Sequence, residues 1–327
     1  MSTVGLNLQD TGGDSLPSPQ ACPICGAKES FPFICPTVLA TAQPIYALVE
    51  CSGCHVRFLH PSPSAEALHQ FYAPHYFGAD WYRQEEKGKM FAQKMLRPGF
   101  GERFLDVGCN LGHFLHAIAH TSGWEVYGVE ISPEAVAYAR EHLLLDVRCG
   151  ELTDANYPDQ FFSFIRISNV LEHVRNPVDF LKECRRILRP GGQLYLSVPN
   201  GLVDSAGLVN YFQCEKKPPR SKDGHLFFFP KDALNRIFND TGFEIVSAYT
   251  YGIRRGLRAL GRYPQKSHWK NPYRLPDKIS EQKGIILTPR PKRLPGYAAY
   301  RFWQFRLKRL SGMVDFGLDY EIFLTAV

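Results

Sequence analysis

Residues 103–116 read RFLDVGCNLGHFLH. Phe104, Leu105 and Val107 predict a short buried strand that ends around Asp106 and Gly108. Gly108 and Gly112 bracket a tight turn, after which Phe114, Leu115 and Ile118 begin the apolar spacing of a helix. Strand, glycine turn and helix together make a cradle for a nucleotide. Glycine lets the backbone come close to a ligand, and the free amides of the first helical turn face an anionic or polar group.

Downstream of this stretch, strand and helix patterns alternate. Residues 124–130, WEVYGVE, read as a second buried strand with an acidic end. Ser132 caps the next helix, with Pro133 in its first turn and Val136, Ala139 and Leu143 on its core face. Further strands are expected at 146–150, 161–167, 193–198, 243–249 and 320–327, with helices after Asn176-Pro177 and over 230–241. Such alternation predicts an α/β fold with a doubly wound, mostly parallel sheet of seven strands, covered on both faces. Glu130, at the end of the second strand, suits a ribose, because a carboxylate accepts from both the 2′ and 3′ hydroxyls. A dinucleotide fingerprint, G-x-G-x-x-G, would need a glycine where Asn110 stands.

Upstream, Cys22-Pro-Ile-Cys25 and Cys51-Ser-Gly-Cys54 form two CxxC knuckles. Each offers two thiolates from one tight turn, so the pair predicts a four-cysteine zinc site in a small ribbon. Four thiolates close the tetrahedral shell and leave no position for water, which makes the zinc structural. Cys35 belongs to neither knuckle and reads as packing, as do Cys109 and Cys149. Pro61 and Pro63 mark a boundary, and residues 64–95 turn helical around Leu68, Phe71 and Tyr72, then Phe91, Met95 and Leu96. The aromatic run 71–77 either lines a substrate mouth or packs the ribbon on its neighbour. The organisation expected is a disordered tail over 1–20, a zinc ribbon over 21–60, a helical linker over 61–98 and a main domain over 99–327, with a basic insertion or lid at 252–317.

The bulk numbers narrow the class. The 327 residues are 44% apolar, enough for a sizeable core. No apolar run reaches the ~20 residues of a membrane span, and the polar Gly/Ser/Pro-rich start is no secretory signal, so a cytoplasmic protein is expected. Nine cysteines in that compartment point to metal or buried thiols rather than disulfides. Between Tyr251 and Gly312, sixteen Lys or Arg face only Asp277 and Glu281, whereas the chain's net charge is +6. A basic block on an acidic body predicts an anionic partner: a phosphorylated substrate, nucleic acid or a membrane surface. Within the block, residues 296–312, GYAAYRFWQFRLKRLSG, place Tyr300, Trp303, Leu307 and Leu310 on one helical face. That helix would either close as a lid on the core or lie in an anionic membrane interface.

Taken together, the chain resembles the class I S-adenosylmethionine-dependent methyltransferases with an N-terminal zinc ribbon. LDVGCNLGHF is similar to their first motif, VYGVEIS to the second and ISNVLEHV to the fourth. LRPGGQLYLSVPN resembles the stretch around the fifth strand, and HLFFFPKDALNRIFNDTGFEIV the stretch before the sixth. The resemblance covers residues 101–250 and implies a Rossmann-like methyltransferase domain that binds S-adenosylmethionine. It implies that Asp106, Gly108, Cys109, Asn110 and Gly112 form the turn and meet the methionine part. Glu130 would hold the ribose and Ile131 the adenine face, with Glu151 and Leu152 near the adenine edge and Asn169 and Val170 beside the sulfonium. The reaction would be in-line methyl transfer, with His173 and then His225 as candidates for the base. A ribbon fused to such a domain implies a small-molecule acceptor, a sugar or a nucleotide- or lipid-linked saccharide. An RNA methyltransferase and a non-catalytic binding protein are the alternatives.

Overall fold

The computed structural model describes residues 18–39, 45–72, 81–97, 101–221, 224–260, 309–313 and 318–327. Three short strands come first: β1 (Phe33–Thr37), β2 (Tyr46–Glu50) and β3 (Arg57–His60). Helices α1 (Ala65–Tyr72) and α2 (Trp81–Met95) follow. From there the chain alternates: β4 (Arg103–Val107), α3 (His113–Ser122), β5 (Glu125–Glu130), α4 (Pro133–Leu143), β6 (Asp146–Cys149), β7 (Phe162–Ser168), α5 (Pro177–Ile187) and β8 (Leu188–Pro199). It continues through α6 (Gly201–Glu215), β9 (Phe227–Phe228), α7 (Lys231–Asp240), β10 (Phe243–Tyr251), α8 (Ile253–Ala259), β11 (Arg309–Ser311) and β12 (Asp319–Ala326).

The central sheet runs β11-β10-β12-β8-β7-β4-β5-β6. Strands β6, β5, β4, β7 and β8 pair in parallel, and β12 inserts antiparallel between β8 and β10. This is the doubly wound, mostly parallel sheet expected of a Rossmann-like methyltransferase, with short β11 added at one edge. From β4 the chain moves outward through β5 and β6, then returns to β7 on the other side of β4. Ligands of such sheets bind in the crevice at the carboxyl ends of the strands where the order reverses. That point lies between β4 and β7, where the Gly108 turn and Asn169–Val170 emerge.

Close packing holds the cradle to the sheet. Helix α2 lies directly on α3: a Cβ at Gly88 would collide with the Phe114 carbonyl oxygen and stand 2.8 Å from Ala117 Cβ. Phe91 of α2 packs edge-on against Phe104, Phe114, Phe164 and Tyr195. Phe104 and Phe164 are buried, each worth roughly 1.5–3 kcal/mol against exposure. At the other end, β9 pairs with β3 and completes an antiparallel sheet β1-β2-β3-β9. Phe58 and Phe227 stack across that pairing, and Arg57 donates to both Glu50 and Ser205 of α6.

The structure departs from the sequence reading at four places. Helix α6 was given no element, because its buried positions Val203, Ser205, Gly207, Leu208 and Tyr211 include small polar or glycine residues that blur an apolar stripe. The strand expected over 193–198 starts earlier, at Leu188, and its backbone runs through Arg189-Pro-Gly-Gly192 as part of β8. Cys149, assigned to buried packing, is exposed because β6 is the edge strand. The helix expected to end at Gly312 does not include Arg309–Ser311, which pair with β10 as β11. The rest of that segment, nearly all of the basic block and aromatic residues 73–77 lie outside the described residues.

Candidate functional site

A cleft of about 1130 Å³ opens over the carboxyl ends of β4, β5 and β7. Asp106, Gly108, Cys109, Asn110, Gly112, Glu130, Ile131, Glu151, Leu152, Asn169 and Val170 all line it, and so does His173. The turn after β4 is tight for two reasons. Gly108 has φ +73°, and a Cβ there would stand 2.5 Å from Val170 Cγ2. Asn110 also sits in the left-handed region, at φ 53°, where its side-chain oxygen accepts from the Leu111 N–H at 2.6 Å. Asparagine tolerates that conformation better than other non-glycine residues, which is why it can stand where a glycine is common.

Glu130 is the organising side chain. Its Oε2 accepts from the Asn110 N–H at 2.8 Å and its Oε1 from the Ser132 N–H at 3.0 Å. One carboxylate thus fixes both loops that border the cleft, and each oxygen keeps lone-pair capacity for a ligand. Burial pushes its carboxyl above the ordinary value, opposed by hydrogen bonds from the Ser132, Asn110 and Ile131 amides. Asp106 is fully buried; its Oδ1 accepts from Arg166 Nη1 at 2.6 Å, and its Oδ2 has no partner among the described residues. Arg166 stacks over the Phe114 ring, with its guanidinium carbon 3.8 Å from the centroid.

Beside the glycine turn, the segment after β7 places Glu172 and His173 in a short turn at Leu171–His173. Glu172 is 1% exposed, and neither carboxylate oxygen has a hydrogen-bond partner among the described residues. Its Oε1 lies 3.8 Å from His173 Nε2 and 4.0 Å from His225 Nε2. Burial pushes the Glu172 carboxyl up to about 7, against the pull of His225. Burial also drives the His173 ring well below its usual value, helped by His225. His225 sits behind His173, their rings 4.8 Å apart, and does not itself line the cleft. Its Nδ1 lies 2.6 Å from Asp204 Oδ2 of α6.

Sequence reasoning missed Arg166, Glu172 and Asp204. Arg166 had a signal, a lone cation inside the apolar strand FSFIRIS. Glu172 had one too, as a carboxylate adjacent to a singled-out histidine. Asp204 had none, since it lies on the helix the reading did not find. The ribbon also contributes to the cleft, through Pro23 between the first two cysteines, and Ser62 and Leu68 follow just after it. The four ribbon sulfurs converge, with Cys22 and Cys54 Sγ 3.7 Å apart and Cys25 and Cys51 Sγ 3.6 Å apart. None of the four is in a disulfide. Among the described residues, no helix is long and apolar enough to cross a membrane.

The family model and the curated relatives name one domain type. A family described as "Methyltransferase domain" matches residues 79–248. The ubiquinone biosynthesis O-methyltransferase of Azoarcus sp. (strain BH72) is 29% identical over 179 residues, 50% of this chain and 73% of that protein. The ubiquinone biosynthesis O-methyltransferase of Xanthomonas campestris pv. campestris (strain B100) is 36% identical over 107 residues, 31% of this chain and 44% of that protein. A solved SAM-dependent methyltransferase from Archaeoglobus fulgidus superposes with a TM-score of 0.45 at 15% identity, covering 75% of this chain and 96% of that one.

Proposed function

The chain belongs to the methyltransferase-domain family and is an S-adenosylmethionine-dependent methyltransferase, and from that premise we propose that it methylates a hydroxyl oxygen of a small molecule. The observation that carries this is the pairing, in one cleft, of the Glu130 cradle with His173, which is backed by Glu172 and His225. The cradle fits the cofactor. The two Glu130 oxygens retain capacity for the ribose hydroxyls, the unpartnered Asp106 Oδ2 suits the amino group of the methionine part, and the missing Cβ of Gly108 leaves room beside Val170. Ile131 and Leu152 line the cleft where they would border the adenine, with Glu151 at its edge. Asn169 and Val170 would flank the sulfonium, while Cys109 and Gly112 shape the turn. When bound, S-adenosylmethionine supplies an already activated methyl group.

The protein's task is then position and proton removal. Arg166 holds Asp106, and Glu130 holds the two loops, so the cradle is set before the ligand arrives. On the acceptor side, His173 faces the cleft with Glu172 and His225 behind it, and this cluster promotes loss of the hydroxyl proton. The two curated relatives bear O-methyltransferase in their names, which supports oxygen as the acceptor atom. A phenol and a saccharide both offer such a hydroxyl.

The ribbon completes the arrangement. Two thiolates on a tetrahedral zinc with ~2.3 Å bonds stand about 3.8 Å apart, and the sulfur pairs at 3.6 and 3.7 Å fit that spacing. We therefore assign Cys22, Cys25, Cys51 and Cys54 a structural zinc that shapes the knuckle carrying Pro23 to the cleft. The test is turnover with methyl-labelled S-adenosylmethionine on panels of phenols, saccharides and RNA, with the product located by mass spectrometry. A methyl ether on a small molecule is the expected product. Label found only on nitrogen, on carbon or on RNA would overturn the reading.

A further inference from the structure

We propose that Glu172, His173 and His225 form a binding site for one divalent transition-metal cation on the acceptor side of the cleft. The donor atoms of these three side chains all lie within 4.8 Å of one another. With bonds of about 2.0–2.2 Å, neighbouring donors at tetrahedral or right angles on one ion stand about 2.8–3.6 Å apart. The Glu172 Oε1 separations of 3.8 and 4.0 Å from the two Nε2 atoms lie a few tenths of an ångström beyond that range, so small side-chain rotations close the three donors on an ion.

Two further observations point to a cation. Glu172 is 1% exposed, and neither of its oxygens has a hydrogen-bond partner among the described residues. A buried carboxylate without compensation is costly, and a metal ion between it and two imidazoles supplies the missing partner. The surroundings of His225 have the form of a second coordination shell. Asp204 Oδ2 lies 2.6 Å from Nδ1, so Nδ1–H donates to the carboxylate and Nε2 presents its lone pair towards Glu172. The backbone holds the two ligand segments together as well, because the Leu226 N–H donates to the Glu172 carbonyl at 2.8 Å.

The donor set selects the metal class. Two imidazoles and one carboxylate suit Mn²⁺, Fe²⁺ or Zn²⁺ better than the all-oxygen preference of Mg²⁺ or Ca²⁺. Three protein ligands leave coordination positions open, and His173 is the ligand that borders the cleft. This deepens, and rests on, the reading of the site as a hydroxyl methyltransferase: the acceptor hydroxyl takes an open position. There its O–H bond breaks heterolytically, the proton passes to water in the cleft and the oxygen keeps the electron pair. A metal-bound oxygen loses its proton far more readily than a free one.

The test uses the full chain carrying one zinc per molecule. Mn²⁺ is the probe, since the four ribbon thiolates favour softer ions. Free Mn²⁺ is followed by electron paramagnetic resonance during titration of wild type, Glu172→Gln and Asp204→Asn. Wild type is expected to bind one Mn²⁺; Glu172→Gln should weaken it at least 100-fold, and Asp204→Asn by roughly 10–100-fold. S-adenosylhomocysteine affinity, read by calorimetry, should stay within a few fold of wild type in both, which establishes that they fold. If Glu172→Gln fails that control, Asp204→Asn decides. The proposal is overturned if wild type binds no Mn²⁺, Fe²⁺ or second Zn²⁺ at millimolar metal. It is equally overturned if a folded variant binds as tightly as wild type, in which case a shared proton, not a metal, occupies the cluster. Failure of the O-methylation reading would show instead in the identity of the methylated product, with Mn²⁺ stoichiometry unchanged.

Discussion

Replacing Glu130 by glutamine is the sharpest probe of the cradle. The carboxylate accepts from the Asn110 N–H at 2.8 Å and the Ser132 N–H at 3.0 Å. An amide keeps one acceptor and turns the other contact into two opposed donors. It also removes one of the two oxygens left for the ribose. A hydrogen bond to a charged group is worth about 1.5–3 kcal/mol, so the combined loss in cofactor binding comes to roughly 2–4 kcal/mol, or about 30- to 700-fold in affinity. Calorimetric titration with S-adenosylhomocysteine reads this directly. The ligand-free variant should melt close to wild type, because glutamine no longer buries a charge and that relief offsets the lost backbone contact. An affinity within threefold of wild type would refute the assignment of Glu130 to the ribose.

The same residue sets a pH dependence. Burial raises the Glu130 carboxyl above its ordinary value, so the native state takes up a proton at a higher pH than the unfolded chain does. Ribose hydroxyls donate to the ionised form. Affinity should therefore decline as pH falls through that raised value, starting above the ordinary glutamate range, and this decline should be absent in Glu130→Gln. Stability runs the other way. The raised carboxyl favours the native state at pH below the unfolded value, and that contribution fades as pH climbs through the native one.

Three further outcomes are expected. Gly108→Ala combines a left-handed φ of +73° with a Cβ 2.5 Å from Val170 Cγ2; the backbone alone costs about 1–2 kcal/mol, and S-adenosylhomocysteine affinity measured by calorimetry should drop. Adding Val170→Ala should restore only the part due to the clash. Gly88→Ala forces a methyl against the Phe114 carbonyl and 2.8 Å from Ala117 Cβ, which should lower stability in urea titration by about 1–3 kcal/mol while leaving cofactor affinity within a few fold. Cys51→Ser should lower the zinc content read by elemental analysis by about one equivalent and lower the melting temperature, and a zinc content equal to wild type would count against the four-thiolate assignment.

What the sequence revealed and what it hid follow from how far apart the partners lie along the chain. The cradle was legible because Asp106, Gly108, Asn110 and Glu130 fall within one strand–turn–helix–strand unit, where spacing along the chain translates almost directly into position. The alternation of strands and helices announced the sheet in the same way, since each element carries its own apolar period. Even so, the pattern overlooked α6, whose buried face mixes Val203 and Leu208 with Ser205 and Gly207.

The acceptor side is assembled differently. Glu172, Asp204 and His225 come from three segments, and they meet only because α6 follows β8 back across the sheet end and β9 pairs with β3 of the ribbon. No local period reports such a convergence. Pro23 reaches the same cleft from between the first two cysteines, through a fold held by cysteines about 26 to 32 positions apart. The half of the cleft proposed to hold the cofactor is thus written in contiguous motifs, whereas the half proposed to meet the acceptor is a product of tertiary assembly. Acceptor choice should then respond to substitutions in the ribbon knuckle and in α6, although neither carries a methyltransferase motif.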